Sequence, residues 1–510
     1  MSEASPQMPR LAFEILAVVV VIGILGWVNL PIPLHGDAAL YQLGAKALAD
    51  GEMLYRDFWD LKQPGIYLFH WLAGSLFGFT ETGLHAFELI YLLGFSILQL
   101  VVLRRYLSFQ WLAPAVPLVT VGSYLALSNE WHLTQPAILL SAPLFCVLAL
   151  LTAPAARWRS VLAGAAGSVA VLFKFAVAPV VGILFVASWA IDRRARGASV
   201  QALWRDRLLP ALVGAVLVTG GMTLWLYRHD ALQQFVWVFQ TWAPLALEVR
   251  GAHPIGRVLE STMWFIFSFA PQLLLAAFAR LGWRDLASER LFVLALVWLA
   301  AGALSILTEP FAGWQFDFLM LATPLGVLAI RGLDGLLGVL RPALAPRQVA
   351  SAAALLLALA ALPAGGIWAR KARSLASNAK LTSEPDYAFQ RAVSQRYEDI
   401  WQSTDFLRQS GSMPGPIYVF GDPLVHTLSR RTSASSIHGW AWELQPAVIW
   451  RRLESELIQQ PPAFIFAEPG YDAMLTVHSP TLRAMLDRDY SIRTKDGTGV
   501  WYARREAPGT

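Results

Sequence analysis

Apolar runs of roughly 20 residues recur along the chain between positions 11 and 368, and then they stop. Runs of that length match the hydrocarbon thickness of a bilayer, so each predicts a membrane-spanning helix. Eleven spans are expected, at 11–30, 84–103, 111–127, 134–153, 160–173, 175–191, 208–226, 262–279, 291–308, 318–330 and 349–368. A further apolar stretch, 64–79, is too short for a full crossing and predicts a helix lying along the outer interface, with Trp59 and Trp71 suited to that depth. Beyond 368 the pattern changes. Short strands are expected at 417–422, 463–467, 490–493 and 500–503, alternating with helices near 387–408, 448–459 and 482–488. That alternation predicts a small α/β domain. The domains expected are therefore a membrane domain, 1–368, with a first outer loop at 31–83, and a soluble domain, 369–510.

Composition agrees with this division. Apolar residues make up 56% and charged residues only 15% of the 510, with a mean hydropathy of +0.48. Ordinary soluble domains carry nearer 25% charge. The net charge of +5 does not point to nucleic acid, because most arginines sit in short clusters between spans. Those clusters are Arg104–Arg105, Arg157 and Arg159, Arg193 to Arg207, Arg280 to Arg290, and Arg331 to Arg347. With a cytoplasmic N-terminus and eleven spans, every one falls inside, as the positive-inside rule requires. Arg370, Lys371 and Arg373 count the other way. The loops 31–83, 128–133, 227–261 and 309–317 then face outward, together with the C-terminal domain. The first span, 11–30, lacks a small-residue cleavage site and is expected to be retained. The single cysteine, Cys146, excludes a disulfide within the chain.

Candidate chemistry is concentrated in the first loop. Asp37 follows the first span closely and opens a helical segment at 38–49. It is either an N-cap aspartate or a carboxylate poised at the headgroup level, and spacing alone does not separate the two. The run from Tyr55 to Gly65 packs Arg56, Asp57, Asp60 and Lys62 among aromatics. Arg56 and Lys62 are placed to meet an anionic headgroup, or the charges form an ordinary solvated turn. Further candidates are His85 and Glu88, three residues apart; Glu130 and His132 in a polar turn; and Gln315 and Asp317 at the head of a span. Lys174 is flanked by apolar residues, so it must snorkel or find a phosphate or carboxylate partner. The run 163–168, rich in small residues, predicts close helix packing. There is no phosphate-binding P-loop, no HExxH, no paired CxxC and no G-x-S-x-G.

Taken with HGDAALY at 35–41, the segment YRDFWDLKQPGIYLFHWL at 55–72 resembles the membrane transferases of the GT-C superfamily. The similar branch is the family 39-like group of protein O-mannosyltransferases and lipid A aminoarabinose transferases. Weaker likeness continues into VLFKFAVAP at 171–179. The resemblance implies a polytopic α-helical GT-C fold of about eleven helices with a C-terminal extracytoplasmic α/β domain, in a bacterial cytoplasmic membrane. It implies transfer of a sugar from a polyprenyl-phosphate donor to a hydroxyl of a glycolipid, polysaccharide or protein acceptor, with inversion. Asp37 corresponds to the group's catalytic aspartate, Lys62 to the lysine of its Lys-Pro-Pro segment and Lys174 to an intramembrane lysine near phosphate. The chain departs from the group in carrying Asp37-Ala38 for Asp-Glu, Lys62-Gln63-Pro64 for Lys-Pro-Pro, and Leu84-His85 where an arginine is common. No cofactor is specified with certainty, and a divalent metal is left open. The alternative of another class is a lipid-linked saccharide flippase or transporter, which predicts internal repeats with interrupted helices; none is evident in the sequence.

Overall fold

A computed structural model describes residues 7–154, 156–250, 255–283, 285–309, 311, 313–441 and 445–505. Position 284 of the Arg280 to Arg290 cluster and positions 310 and 312 of the 309–317 loop lie outside these. Among the described residues, eight helices are long and apolar enough to cross a membrane: Arg10–Trp27, Glu81–Leu103, Gln110–Leu127, Phe175–Ala195, Val200–Arg228, Arg290–Thr308, Gln315–Leu340 and Pro346–Ser383. A ninth is the pair Ile255–Ser268 and Ala270–Ala276, bent by 72°. The chain is thus a polytopic α-helical membrane protein with eight or nine candidate spans, against the eleven expected. The difference lies in length. Pro136–Thr152 and Arg157–Phe173 are helical where spans were expected. The latter has 17 residues, about 26 Å at the α-helical rise, which falls short of a full bilayer core.

The described residues group into two compact units, one drawn from Met1–Leu30, His85–Met222 and Pro254–Ala376, the other from Pro31–Leu84, Thr223–His253 and Ser377–Thr510. In the first, helices approach closely where side chains are missing. A Cβ on Gly164 would lie 1.9 Å from the Ala211 carbonyl oxygen, and one on Gly214 would lie 1.8 Å from that of Val161. The small-residue run therefore packs the Arg157–Phe173 helix directly on the Val200–Arg228 helix, as expected. Several arginines of the inter-span clusters are paired and buried. Arg290 and Arg207 share Asp192 at 2.6 and 2.9 Å, and Arg331 meets Glu289 at 3.1 Å. Arg331 and Asp334 lie inside Gln315–Leu340, and Asp334 accepts the Ser108 and Phe109 N–H groups at 3.1 and 2.8 Å. Their charges end an apolar window at 330, although the helix itself continues.

The second unit carries a four-stranded sheet: β1 Ile417–Phe420, β2 Phe464–Ala467, β3 Tyr490–Asp496 and β4 Gly499–Arg504. Its order is β1-β2-β4-β3, with β1 and β2 parallel and the other pairings antiparallel. The parallel pair is joined through the helix Ala447–Gln459, close to the pattern expected for the α/β domain. The first loop belongs to this unit and is mostly helical. Gly36–Ala49 packs on Pro64–Phe77 across Gly44, where a Cβ would lie 2.6 Å from the Tyr67 ring and 2.8 Å from Phe58. Pro64–Phe77 exposes Trp71, Leu72, Leu76 and Phe77 along one side, as an interfacial helix does. Trp59, expected at the interface, is instead buried between Trp237 and the Arg452 guanidinium, which lies 3.7 Å over its ring.

Candidate functional site

Asp37 lies in the first turn of Gly36–Ala49, just after Gly36, whose φ of 49° a side chain would strain. That placement aims the carboxylate into the positive end of the helix dipole. One oxygen is held: Asp37 Oδ1 lies 3.3 Å from Lys62 Nζ and accepts a 2.9 Å hydrogen bond from Trp440 Nε1. No hydrogen bond reaches Oδ2 among the described residues. The Asp37 and Lys62 side chains are each about one quarter exposed (26% and 25%), so the pair remains accessible from solvent.

Asp60 is its buried counterpart, 5% exposed. It lies 3.7 Å from Lys62, accepts the Leu61 N–H at 2.7 Å and the Tyr67 hydroxyl, and meets His438 Nε2 at 3.3 Å. The Trp440 N–H donates to His438 Nδ1 at 3.2 Å, so the ring's proton sits on Nε2 and points at Asp60. Burial pushes the Asp60 carboxyl up. The Lys62 ammonium, with the bonds from His438 and Tyr67, outweighs it and holds Asp60 well below the usual carboxylate range. Burial likewise works against the Lys62 charge, but Asp37 and Asp60 together raise its pKa. Gly439 lets this segment approach: a Cβ there would lie 2.0 Å from the Val419 carbonyl oxygen on β1. Phe58 stacks on His438, 5.9 Å between centroids, and the Lys62 ammonium lies 5.9 Å from the Tyr41 ring.

Arg56 and Asp57 form a separate local pair. The guanidinium bonds Asp57 at 2.7 Å and the His229 carbonyl at 3.0 Å, and Asp57 accepts the Met53 N–H at 2.8 Å. Burial pushes Asp57 up, and these two donors more than reverse it.

A second cluster lies in the membrane unit. The helical path breaks at Lys174, between Arg157–Phe173 and the next helical turn, with φ −158° and ψ 112°. Its ammonium bonds Asp317 at 2.6 Å and Glu309 at 2.9 Å. Asp317 also caps its own helix, accepting the Gly313 and Trp314 N–H groups at 2.9 and 3.0 Å. His132 is hydrogen-bonded by Gln315, lies 4.9 Å from the Trp264 ring and is pushed down to about 4 by burial. Glu130 is half-exposed in the same turn. His85 and Glu88 do not pair: His85 Nδ1 meets the Leu30 carbonyl at 3.2 Å, and Glu88 accepts from Tyr124 at 2.6 Å and the Thr134 N–H at 3.0 Å. Among the described residues no group of three or more His, Cys, Asp or Glu could hold a metal ion.

This architecture has solved counterparts. The chain is similar to the crystal structure of ArnT from Cupriavidus metallidurans bound to undecaprenyl phosphate, with a TM-score of 0.62 and 18% identity over 96% of this chain and 98% of that one. The apo structure of the same ArnT matches with a TM-score of 0.63 and 17% identity, over 96% and 97% of the two chains. The chain has an ArnT-like fold. No family model and no curated protein matches. At this identity the likeness is one of fold.

Three members of the first cluster escaped sequence reasoning: Tyr67, His438 and Trp440. Tyr67 sits in the same loop, seven residues from Asp60, and its position among apolar neighbours disguises it as core. Trp440 lies 403 residues from Asp37, and nothing in spacing links the two. The C-terminal domain supplies hydrogen-bond partners to both acids of the first loop.

Proposed function

We propose that the protein transfers a sugar, with inversion, from a polyprenyl-phosphate donor to an acceptor hydroxyl on the outer face of a bacterial cytoplasmic membrane. The observation that carries this reading is Asp37 itself: Oδ1 is fixed by Lys62 and Trp440, while Oδ2 faces no donor among the described residues. A carboxylate oriented through one oxygen and open at the other suits a general base. The ArnT-like fold supports the donor class, because one of those ArnT structures holds undecaprenyl phosphate.

In this mechanism the acceptor hydroxyl donates to Asp37 Oδ2. Its oxygen attacks the anomeric carbon on the face opposite the phosphate, the bond from that carbon to the phosphate oxygen breaks, and the proton passes to Asp37. The bonding electrons leave on polyprenyl phosphate. Lys62 is the cation assigned to that developing charge, with Arg56 as a further contact; Lys174 is assigned to lipid phosphate within the membrane unit. Each lysine faces two carboxylates in the ligand-free protein. Phosphate binding therefore requires an exchange of partners. Asp60, already saturated, positions Lys62 rather than touching substrate. Within the membrane unit, His85, Glu130, His132, Gln315 and Asp317 are assigned to substrate binding, and Asp57 is assigned to it within the other unit.

Sidedness follows from counting. Nine crossings, with the bent pair as one span, and eleven, with Pro136–Thr152 and Arg157–Phe173 both added, are odd counts, and an odd count supports a C-terminal domain opposite a cytoplasmic N-terminus.

The test incubates purified protein with a panel of polyprenyl-phosphate sugars and an envelope lipid extract, and follows release of free polyprenyl phosphate. Asp37→Asn keeps an oxygen for Trp440 and loses the base, so turnover should drop by about 10²-fold or more while donor binding persists. Near wild-type turnover in D37N, or movement of intact donor without bond cleavage, would refute the assignment.

A further inference from the structure

A cavity of about 780 Å³ opens in the second unit, and neither Asp37 nor Lys62 lines it. Its size is that of small-ligand sites, ~300–1,000 Å³. One wall is the Gly36–Ala49 helix, which turns Gln42, Leu43, Lys46 and Ala47 toward it at one-turn spacing. The opposite wall is the segment 430–436, backed by Arg452 and Glu456.

Its cationic and acidic side chains nearly balance, and most are paired. Lys46 pairs with Asp50 at 2.8 Å, Arg56 with Asp57 at 2.7 Å and Arg452 with Glu456 at 2.8 Å. Glu456 also accepts the Ser435 and Ser436 hydroxyls at 2.7 and 2.8 Å. Arg431 is spent on the Gly415 and Leu407 carbonyls. Such a wall offers fixed donors and acceptors with little net charge. It gives an acyl chain no continuous apolar bed. Hydroxyl groups, which donate and accept at once, are the chemistry it satisfies. Phe58, Phe79 and Tyr387 add aromatic surface of the kind against which sugar rings pack.

Two features tie the cavity to the proposed reaction. Phe58 lines it and also stacks on His438, which bonds Asp60. The Gly36–Ala49 helix is shared: Gln42 lies five residues beyond Asp37, ~7.5 Å along the axis and about 140° round it, so a bound chain must pass around the helix to reach Asp37. We propose that this cavity binds the carbohydrate part of the acceptor, as a neutral or zwitterionic oligosaccharide whose reacting hydroxyl extends toward Asp37. This assignment rests on the transferase reading above and names its acceptor as glycan-bearing.

The experiment measures binding directly, so that it does not depend on turnover. Full-length protein in nanodiscs is applied to an array of bacterial surface oligosaccharides. Ala47→Trp fills the cavity from the helix and Thr432→Trp from the opposite wall. Each variant is first checked for an unchanged melting temperature and a monodisperse elution profile. Wild type should retain a subset of glycans, and both variants should lose that subset by about tenfold or more in affinity. Acidic glycans and free inorganic phosphate should not compete. Absence of glycan retention by wild type, or equal retention by well-folded variants, overturns the cavity assignment even where transfer is observed. Glycan binding that the tryptophans abolish, with no transfer from any polyprenyl-phosphate sugar, would uphold the cavity as a glycan site and remove the transferase reading.

Discussion

Two carboxylates that look alike in the chain, Asp37 and Asp60, differ in what surrounds them. Asp60 is buried among the Tyr67 hydroxyl, the Leu61 N–H, the Lys62 ammonium and the His438 ring, and has no capacity left for substrate. Asp37 keeps one oxygen open. Burial also acts on His426, 5% exposed, whose ring, like that of His132, it pushes down from the ordinary 6.5 to about 4. A histidine held neutral in the fold contributes its full stability above the unfolded value and loses it as pH falls from about 6.5 toward 4. Between pH 7 and pH 4 the cost from this residue is on the order of 3 kcal/mol. Thermal unfolding followed by tryptophan fluorescence should show the midpoint dropping over that window, and His426→Phe should flatten the drop. An unchanged slope in H426F would assign the acid sensitivity to other groups.

At the level of elements, the membrane unit depends on glycines that allow backbone contact. Gly164 and Gly214 each leave space for a carbonyl oxygen of the facing helix, and a valine at either would place Cβ inside that oxygen's radius. Gly164→Val should force the Arg157–Phe173 and Val200–Arg228 helices apart and destabilise by about 3 kcal/mol or more. Melting of the detergent-solubilised protein measures this, and a wild-type midpoint would mean that the contact is not maintained. Gly23 and Gly94, which meet nothing within 4 Å, are the controls. The break at Lys174 has a different origin. Its ammonium closes on Asp317 and Glu309, and a lysine in apolar surroundings requires such partners, so the earlier alternative of snorkelling is not what the fold adopts.

For the whole molecule, the proposed sidedness is open to a labelling experiment. In a Cys146→Ala background, Ser410→Cys in the C-terminal domain should react with a membrane-impermeant maleimide on intact spheroplasts. Ala343→Cys, between the last two candidate spans, should react only after lysis. The reverse pattern would mean an even number of crossings. The bent pair Ile255–Ser268 and Ala270–Ala276 would then be a re-entrant loop, since it is the candidate span that is broken by a 72° bend.

The amino-acid sequence alone determined the membrane character, the approximate place of nearly every helix, the strands of the terminal domain and the acid-rich first loop. Each of these is written in local apolar periodicity, which depends on neighbours within a few turns. Helix limits were less legible where charges are neutralised inside the fold, as at Arg331 and Asp334. Only the tertiary structure decided that the first loop and residues 377–505 share one unit, and that Trp440 and His438 divide their hydrogen bonds between Asp37 and Asp60. Contacts across some 400 residues leave no periodic trace in the chain, because they are set by how whole elements pack and not by the order of residues within any one of them.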